Sequence, residues 1–286
     1  MKISKKKFFC LGTGYSAKVI ARMLLANSEP NKWLVYGSYR KEDQAKALSN
    51  IGIIPINFDD VTNTLLISDA ILSSIPPNKE GDPVLKQYGG LLSELKNNSW
   101  IGYFSTTGVY GNTKGALIDE TALLRPTSDR SRRRVAAESG WLKYAAHIFR
   151  LPGIYGPGRS SLERVRKGLT QRIHYPNHLF SRIHVDDIAQ SVISSINQPN
   201  PSSIYNICDD EAAEQQLVEA YASKLLGIKP PPLVPFEHAI KEMSPMARTF
   251  WQDNRLVSNA KMKSELGIEL FYPTFREGLK SLHQSS

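Results

Sequence analysis

The glycines at positions 12 and 14 carry the first chemical signal in the chain. Gly12-Thr13-Gly14-Tyr15-Ser16-Ala17 spells G-x-G-x-x-A, directly after the apolar run from Phe8 to Leu11 and directly before a helix-forming stretch. In that context each small residue is needed for its own reason. Gly12 permits a tight turn, Gly14 lets the backbone approach a diphosphate, and Ala17 lets the helix pack closely. The helix N-terminus adds free N–H groups and a positive potential. Residues 12–17 are therefore expected to hold the pyrophosphate of a dinucleotide. Which dinucleotide is decided at the end of the next strand, Tyr36-Gly37-Ser38-Tyr39-Arg40-Lys41. No carboxylate stands there to hold a ribose diol, whereas Arg40 can donate paired hydrogen bonds to a phosphate. NADP is the expected cofactor and NAD the less favoured one; the competing reading leaves Arg40 and Lys41 as solvated charges at a helix start.

Such a turn works only on a rigid sheet, and the first half of the chain supplies one. Short β-type runs at 8–11, 33–36, 53–56, 70–75, 100–104 and 147–150 alternate with amphipathic stretches at 16–27, 42–50, 83–97 and 131–144. Right-handed βαβ crossovers then give a parallel sheet covered on both faces. After Leu151 the pattern loosens: Pro152, Gly153, Gly156, Pro157 and Gly158 mark loops, and 229–232 a linker or rim. Further strands are expected at 183–185 and 203–207, helices at 188–196 and 212–226, and two short helices around Tyr272-Pro273. The predicted fold class is α/β, a doubly wound parallel Rossmann sheet with a smaller C-terminal substrate-binding lobe. Residues 1–155 form the dinucleotide-binding domain, 181–207 return to it, and 156–180 with 208–286 form the lobe.

The composition, 41% hydrophobic and 22% charged over 286 residues, is that of a folded globular chain. A net charge of +9 suits an anionic partner or, equally, a solvated basic surface. Cys10 and Cys208 form no disulfide framework and lack metal-ligand spacing, so no metal is expected. No apolar run reaches membrane-spanning length, and the segment after Lys5-Lys6-Lys7 is too short for a signal-peptide core. The cytoplasm is the expected location.

Beyond the glycine turn, several loops share one pattern. These are Ser73-Ser74-Ile75-Pro76-Pro77, Ser105-Thr106-Thr107-Gly108-Val109-Tyr110-Gly111 and Arg150-Leu151-Pro152-Gly153-Ile154-Tyr155-Gly156-Pro157-Gly158, with His184-Val185-Asp186-Asp187-Ile188-Ala189 and Ser258-Asn259-Ala260-Lys261 followed by Leu266-Gly267. Over nearly its whole length the chain resembles the extended short-chain dehydrogenase/reductases, the branch with nucleotide-sugar epimerases and dehydratases. The resemblance implies that Ser74, Ile75, Pro76, Ser105, Leu151, Pro152 and Gly153 line the cofactor and that Thr106 orients a substrate oxygen. The bland alternative is a Thr106 hydroxyl that satisfies the loop backbone.

The family's site also carries a Tyr that exchanges a proton and, four residues on, a Lys that lowers its pKa. Counting back from Glu138, those places here hold Arg130 and Arg134. Arg134 can still bond the cofactor ribose, but a guanidinium stays protonated and cannot replace the phenol as acid or base. The Asp and Glu that the resembling 4,6-dehydratases carry after the Thr are replaced by Thr107 and Gly108, against water elimination of that type. Tyr110 and Tyr155 are the phenols nearest the inferred site in sequence. Thr107, Tyr110, Tyr155, Arg159 and Arg248 are expected to meet substrate. Arg130, Arg132, Arg133 and Arg134 with Arg159, Arg164 and Arg166 suit a phosphate, although Arg132 and Arg133 suit a solvated helix face equally. His184, Asp186 and Asp187 read as a helix-capping loop.

The leading expectation is an atypical NAD(P)-dependent oxidoreductase or epimerase-like protein acting on a small anionic substrate, including the nucleotide-sugar class. The alternative is an inactive NADP-binding regulator or scaffold. Nucleic acid is not an expected partner, because no aromatic platform interleaves the arginines. Homodimerisation through two helices is an analogy with relatives.

Overall fold

Phe8, Phe9, Cys10 and Leu11 are all buried, and a run that is apolar on both faces belongs in the middle of a parallel sheet. In the computed structural model, which describes residues 5–26, 33–95 and 99–285, that run is β1 (Lys6–Leu11) and is an interior strand of the main sheet. In chain order there follow α1 (Tyr15–Ala26), β2 (Trp33–Tyr39), α2 (Glu42–Ser49), β3 (Ile54–Asn57), α3 (Thr62–Ile67), β4 (Ala70–Ser73), α4 (Pro83–Leu92) and β5 (Trp100–Thr106). Next come β6 (Leu117–Ile118), α5 (Asp129–Leu142), β7 (His147–Leu151), β8 (Gly153–Tyr155), α6 (Ser161–Arg166), β9 (Arg172–His174), β10 (Arg182–His184), α7 (Val185–Asn197) and β11 (Ile204–Asn206). The chain closes with α8 (Gln215–Leu225), β12 (Leu233–Pro235), α9 (Phe236–Glu242), α10 (Pro245–Trp251), β13 (Leu256–Val257), α11 (Ala260–Leu266) and α12 (Phe275–Gln284). Asn27 and Asn97, the expected last residues of two helices, lie outside the described residues.

The main sheet has seven parallel strands in the order β11-β7-β5-β4-β1-β2-β3. Phe8 stands between Val35 and Ala70, which fixes the register of its central strands. Strand order reverses between β1 and β4, so the loops after them open a crevice at the carboxyl edge, where doubly wound sheets bind ligands. One core fills the face that α1 and α7 cover and takes in Ala17, Ile20, Leu24, Ile188 and Val192; the other lies under α4 and α5, around Tyr103 and Trp141.

Three two-stranded parallel pairs, β8 with β10, β9 with β12 and β6 with β13, build the second wall of the crevice. Behind them α6, α8 and α12 pack around Tyr155, Leu162, Val218, Ala222 and Phe275. Ser160 and Glu163 start α6 with a capping box, as Thr274 and Glu277 start α12. Met262, Leu266 and Ile268 leave this lobe and join the core of β1 and α1, so the end of the chain is shared by both parts. Among the described residues no helix is long and apolar enough to cross a membrane.

Candidate functional site

The glycine turn is held from three sides. Gly12 N donates to Ser38 Oγ at 2.8 Å, Ser74 Oγ donates to Gly12 O at 2.6 Å, and Thr13 Oγ1 donates to Ser38 O at 3.1 Å. Gly12 has φ +86°, and a Cβ on it would stand 2.7 Å from Ile75 Cγ1. Gly37, which the motif reasoning did not single out, matters here too, since a Cβ there would reach 2.4 Å from Thr13 Cγ2. A glycine inside a strand pattern is the signal that marks such a close approach. Gly14 is the opposite case: a Cβ on it would meet nothing within 4 Å. Gly14, Tyr15, Ser16 and Ala17 line a cleft of about 760 Å³, and the first-turn N–H groups of α1 have no intrahelical acceptors. Open space beside Gly14, at a helix N-terminus, fits a diphosphate. Arg40 follows β2 with its guanidinium over the Phe58 ring at 4.5 Å, paired with no carboxylate among the described residues.

The next edge of the cleft is the end of β5. Thr106 Oγ1 accepts from Gly108 N at 3.1 Å and so caps the short 3-10 turn that follows. Ser105 is 5% exposed, lines the cleft, and its Oγ has no hydrogen-bond partner among the described residues. The first turn of α5 lies on this loop: a Cβ on Gly108 would come within 2.9 Å of Ser131 Oγ. Ser128 caps α5, its Oγ accepting from Ser131 N at 3.2 Å and donating to Ser131 Oγ at 3.0 Å. Arg130 is exposed at the cleft mouth; Arg134, one turn on, is buried and donates to Phe104 O at 2.6 Å and Tyr103 OH at 2.8 Å. Both line the cleft with Ser105, Thr106, Thr107 and Ser131.

Leu151, Pro152 and Gly153 form the floor, and the lobe supplies Arg159, Arg164, Arg182 and Arg255 with an aromatic flank of Phe180, Phe250 and Trp251. Arg255 donates to Asp253 at 2.8 Å, and Arg164 lies 3.9 Å from the buried Glu219. Six arginines therefore face one carboxylate, Asp253, among the described charged side chains that line the cleft. Tyr15 joins the two walls, donating to Pro157 O at 3.0 Å beneath the Arg159 guanidinium. Burial pushes its phenol up to about 12.

Several expected site residues stand elsewhere. Tyr110 is fully buried behind the β5 loop, donating to Asn206 Oδ1 at 2.8 Å and accepting from Arg150, which forms a buried pair with Glu138 at 2.7 Å. Tyr155 faces away into the lobe core, edge-on to His184, and burial raises both phenols above their ordinary value. Arg248 folds back onto Met243 O and Lys241 O, while its neighbours Ala247 and Thr249 line the cleft. Ile75 supports Gly12 from below, and Pro76 is exposed beyond it. His184 Nδ1 accepts from Asp186 N and caps α7, while Asp187 accepts from Phe271 N and Tyr272 N. Among the described residues no group of three or more His, Cys, Asp or Glu side chains is placed to hold a metal ion.

This architecture is shared with a functionally unknown conserved protein from Silicibacter pomeroyi, 40% identical, with a TM-score of 0.89 over 98% of this chain and 99% of that one. The chain belongs to that protein's family. Its fold is also that of the dTDP-glucose 4,6-dehydratase of Bacillus anthracis in complex with NAD, 18% identical, TM-score 0.73, covering 98% of this chain and 96% of that chain. The UDP-glucuronic acid 4-epimerase of Bacillus cereus, whose variant was solved with NAD and a fluorinated UDP-sugar, gives 17% identity and 0.75 over 97% and 98%. These structural neighbours are epimerases and dehydratases, and at such identity the likeness is one of fold. No family model and no curated protein matches the sequence.

Proposed function

We propose that the chain binds a nicotinamide dinucleotide at the glycine turn and a small anionic substrate, including the nucleotide-sugar class, in the arginine-lined cleft. In this reading it is an atypical oxidoreductase or epimerase-like protein. Residues 1–155, rejoined by 181–207, hold the dinucleotide; 156–180 and 208–286 hold the substrate. The observation that carries it is the open side of Gly14 at the start of α1, a cradle that a Cβ would fill. Gly14 and the first-turn amides would hold the pyrophosphate, and Ser105, Leu151, Pro152 and Gly153 would flank the rest. When bound, the nicotinamide supplies hydride transfer. Thr106 orients a substrate oxygen with its hydroxyl, and the arginines neutralise substrate charge. Arg134, fixed by Phe104 O and Tyr103 OH, holds its guanidinium still at the site edge.

A second reading keeps the pocket without turnover, as an NADP-binding regulator or scaffold. The guanidiniums of Arg130 and Arg134 beside Thr106 favour it, because a guanidinium donates hydrogen bonds but has no lone pair with which to accept a substrate proton.

The first test is calorimetric titration of NADPH and NADH into the parent and Gly14→Val. The parent is expected to bind, and the variant to lose binding at least tenfold with an unchanged unfolding midpoint, since nothing lies within 4 Å of the new Cβ. Equal affinity in both proteins would remove the basis of the reading.

A further inference from the structure

Four hydroxyls and two guanidiniums converge where β5 meets the start of α5, with no titratable acid or base among them. Ser105, Thr106, Ser128, Arg130, Ser131 and Arg134 all line the cleft. Thr106 Oγ1 accepts from Gly108 N and keeps its own proton to donate, and Ser128 Oγ accepts from Ser131 N at the start of α5. Ser105 differs, because it lines the cleft while its Oγ is buried and has no partner among the described residues. A buried hydroxyl left unpaired costs free energy that a bound acceptor recovers. Arg130 and Arg134 stand four apart on one helix face, and both line the cleft. The amides of the first turn of α5, a fourteen-residue helix, add positive potential at that point. Asp129 in the same turn is paired with Arg132.

We infer that this corner is an oxyanion subsite: the ligand presents a compact anionic group, a carboxylate or a phosphate, to Ser105 and Ser131 between Arg130 and Arg134. The inference rests on reading the cleft as the substrate site, and it names the chemistry of the group bound there. A neutral carbonyl or hydroxyl accepts one or two hydrogen bonds and leaves two cations, of which Arg134 is held in place, without a counter-charge. A carboxylate or phosphate satisfies both cations and the orphaned hydroxyl together. The corner is built to hold negative charge in place.

The test titrates inorganic phosphate and acetate separately, in chloride-free buffer, into the Gly14→Val protein, so that phosphate has no access to the glycine turn. Saturable binding of one of them is expected, and the tighter one names the group. Arg130→Met, at an exposed position that the fold does not need, should weaken that binding about tenfold, the loss of one charge-assisted contact. Ser105→Ala should weaken it severalfold. Lys143→Met, the same charge change at the far end of α5, should leave it unaltered. Acetate affinity should also stay flat from pH 6 to 9, because none of these six side chains is a carboxylate, an imidazole or a thiol. No saturable binding of either anion to a folded protein overturns the inference, as does equal binding to Arg130→Met and its parent. Neither result touches the dinucleotide reading, which NADPH titration of the parent decides separately.

Discussion

Gly12 and Gly14 are two residues apart and are needed for opposite reasons. Gly12 is conformational: its positive φ and the Ile75 side chain exclude a Cβ, so Gly12→Val is expected to destabilise the fold by about 1–3 kcal/mol, read as a lower denaturation midpoint. Gly14 is a matter of access, and its valine variant should keep the midpoint. Arg40 tests cofactor choice: if it meets the phosphate that distinguishes NADP, Arg40→Ala lowers NADPH affinity by about 1.5–3 kcal/mol, tenfold or more, and leaves NADH affinity alone. Equal loss for both dinucleotides in calorimetry would count against that role. At this scale the glycine motif was legible because its meaning is local. Tyr110 was not, because its partner Asn206 lies far along the chain and only the folded sheet brings β11 beside β7.

The elements around the site depend on buried polar contacts. Arg150 on β7 and Glu138 on α5 pair with almost no exposure, and Arg150 also supports Tyr110. Glu138→Ala leaves that guanidinium buried alone and is expected to cost about 3–5 kcal/mol in urea unfolding. His184 caps α7 in its neutral form, and burial brings it down to about 4 although Asp186 lies 3.5 Å away. Because its folded value lies below the ordinary 6.5, the unfolded chain takes up the proton first as pH falls. The stability at stake is intact above about 6.5 and falls by about 3 kcal/mol towards pH 4. Asp187 at about 6 and Asp209 at about 8, both raised by burial, work the other way, since acid protonates the folded chain first. Comparing parent with His184→Asn isolates the histidine: asparagine still caps, and the stability gap should swing in the variant's favour between pH 7 and pH 4. A pH-independent gap would remove this account. The sequence showed the long strands and helices clearly, whereas α3, α6, α9 and α10 have six or seven residues each, too few for a 3.6-residue period to emerge.

Taken whole, the molecule concentrates its charge. The sequence left the net +9 divided between anion binding and solvated surface; six arginines from α5, the β8–α6 loop, α6, β10 and the segment before β13 meet in one cleft. The sequence already grouped Arg130, Arg134, Arg159 and Arg164, whereas Arg182 and Arg255 join them only through the fold, from strands far along the chain. The two parts of the molecule are also joined by more than the crossings between them. Met262, Leu266 and Ile268 complete the core of β1 and α1, so calorimetric melting is expected to show one transition rather than two. Removing 256–286 should lower the stability of the whole protein, not of the lobe alone.

The three small parallel pairs bear on the order in which a growing chain can fold. Leu117 finds Leu256 as its neighbour, and Arg172 finds Leu233. Closing such long loops adds little to the equilibrium cost, which grows only with the logarithm of loop length, but it slows folding. Six of the seven main-sheet strands are already synthesised by Leu151. The nascent protein therefore passes through an interval in which the glycine turn exists without its opposing wall. A dinucleotide that engages the turn in that interval would act as a folding ligand, stabilising the sheet before β12 and β13 leave the ribosome.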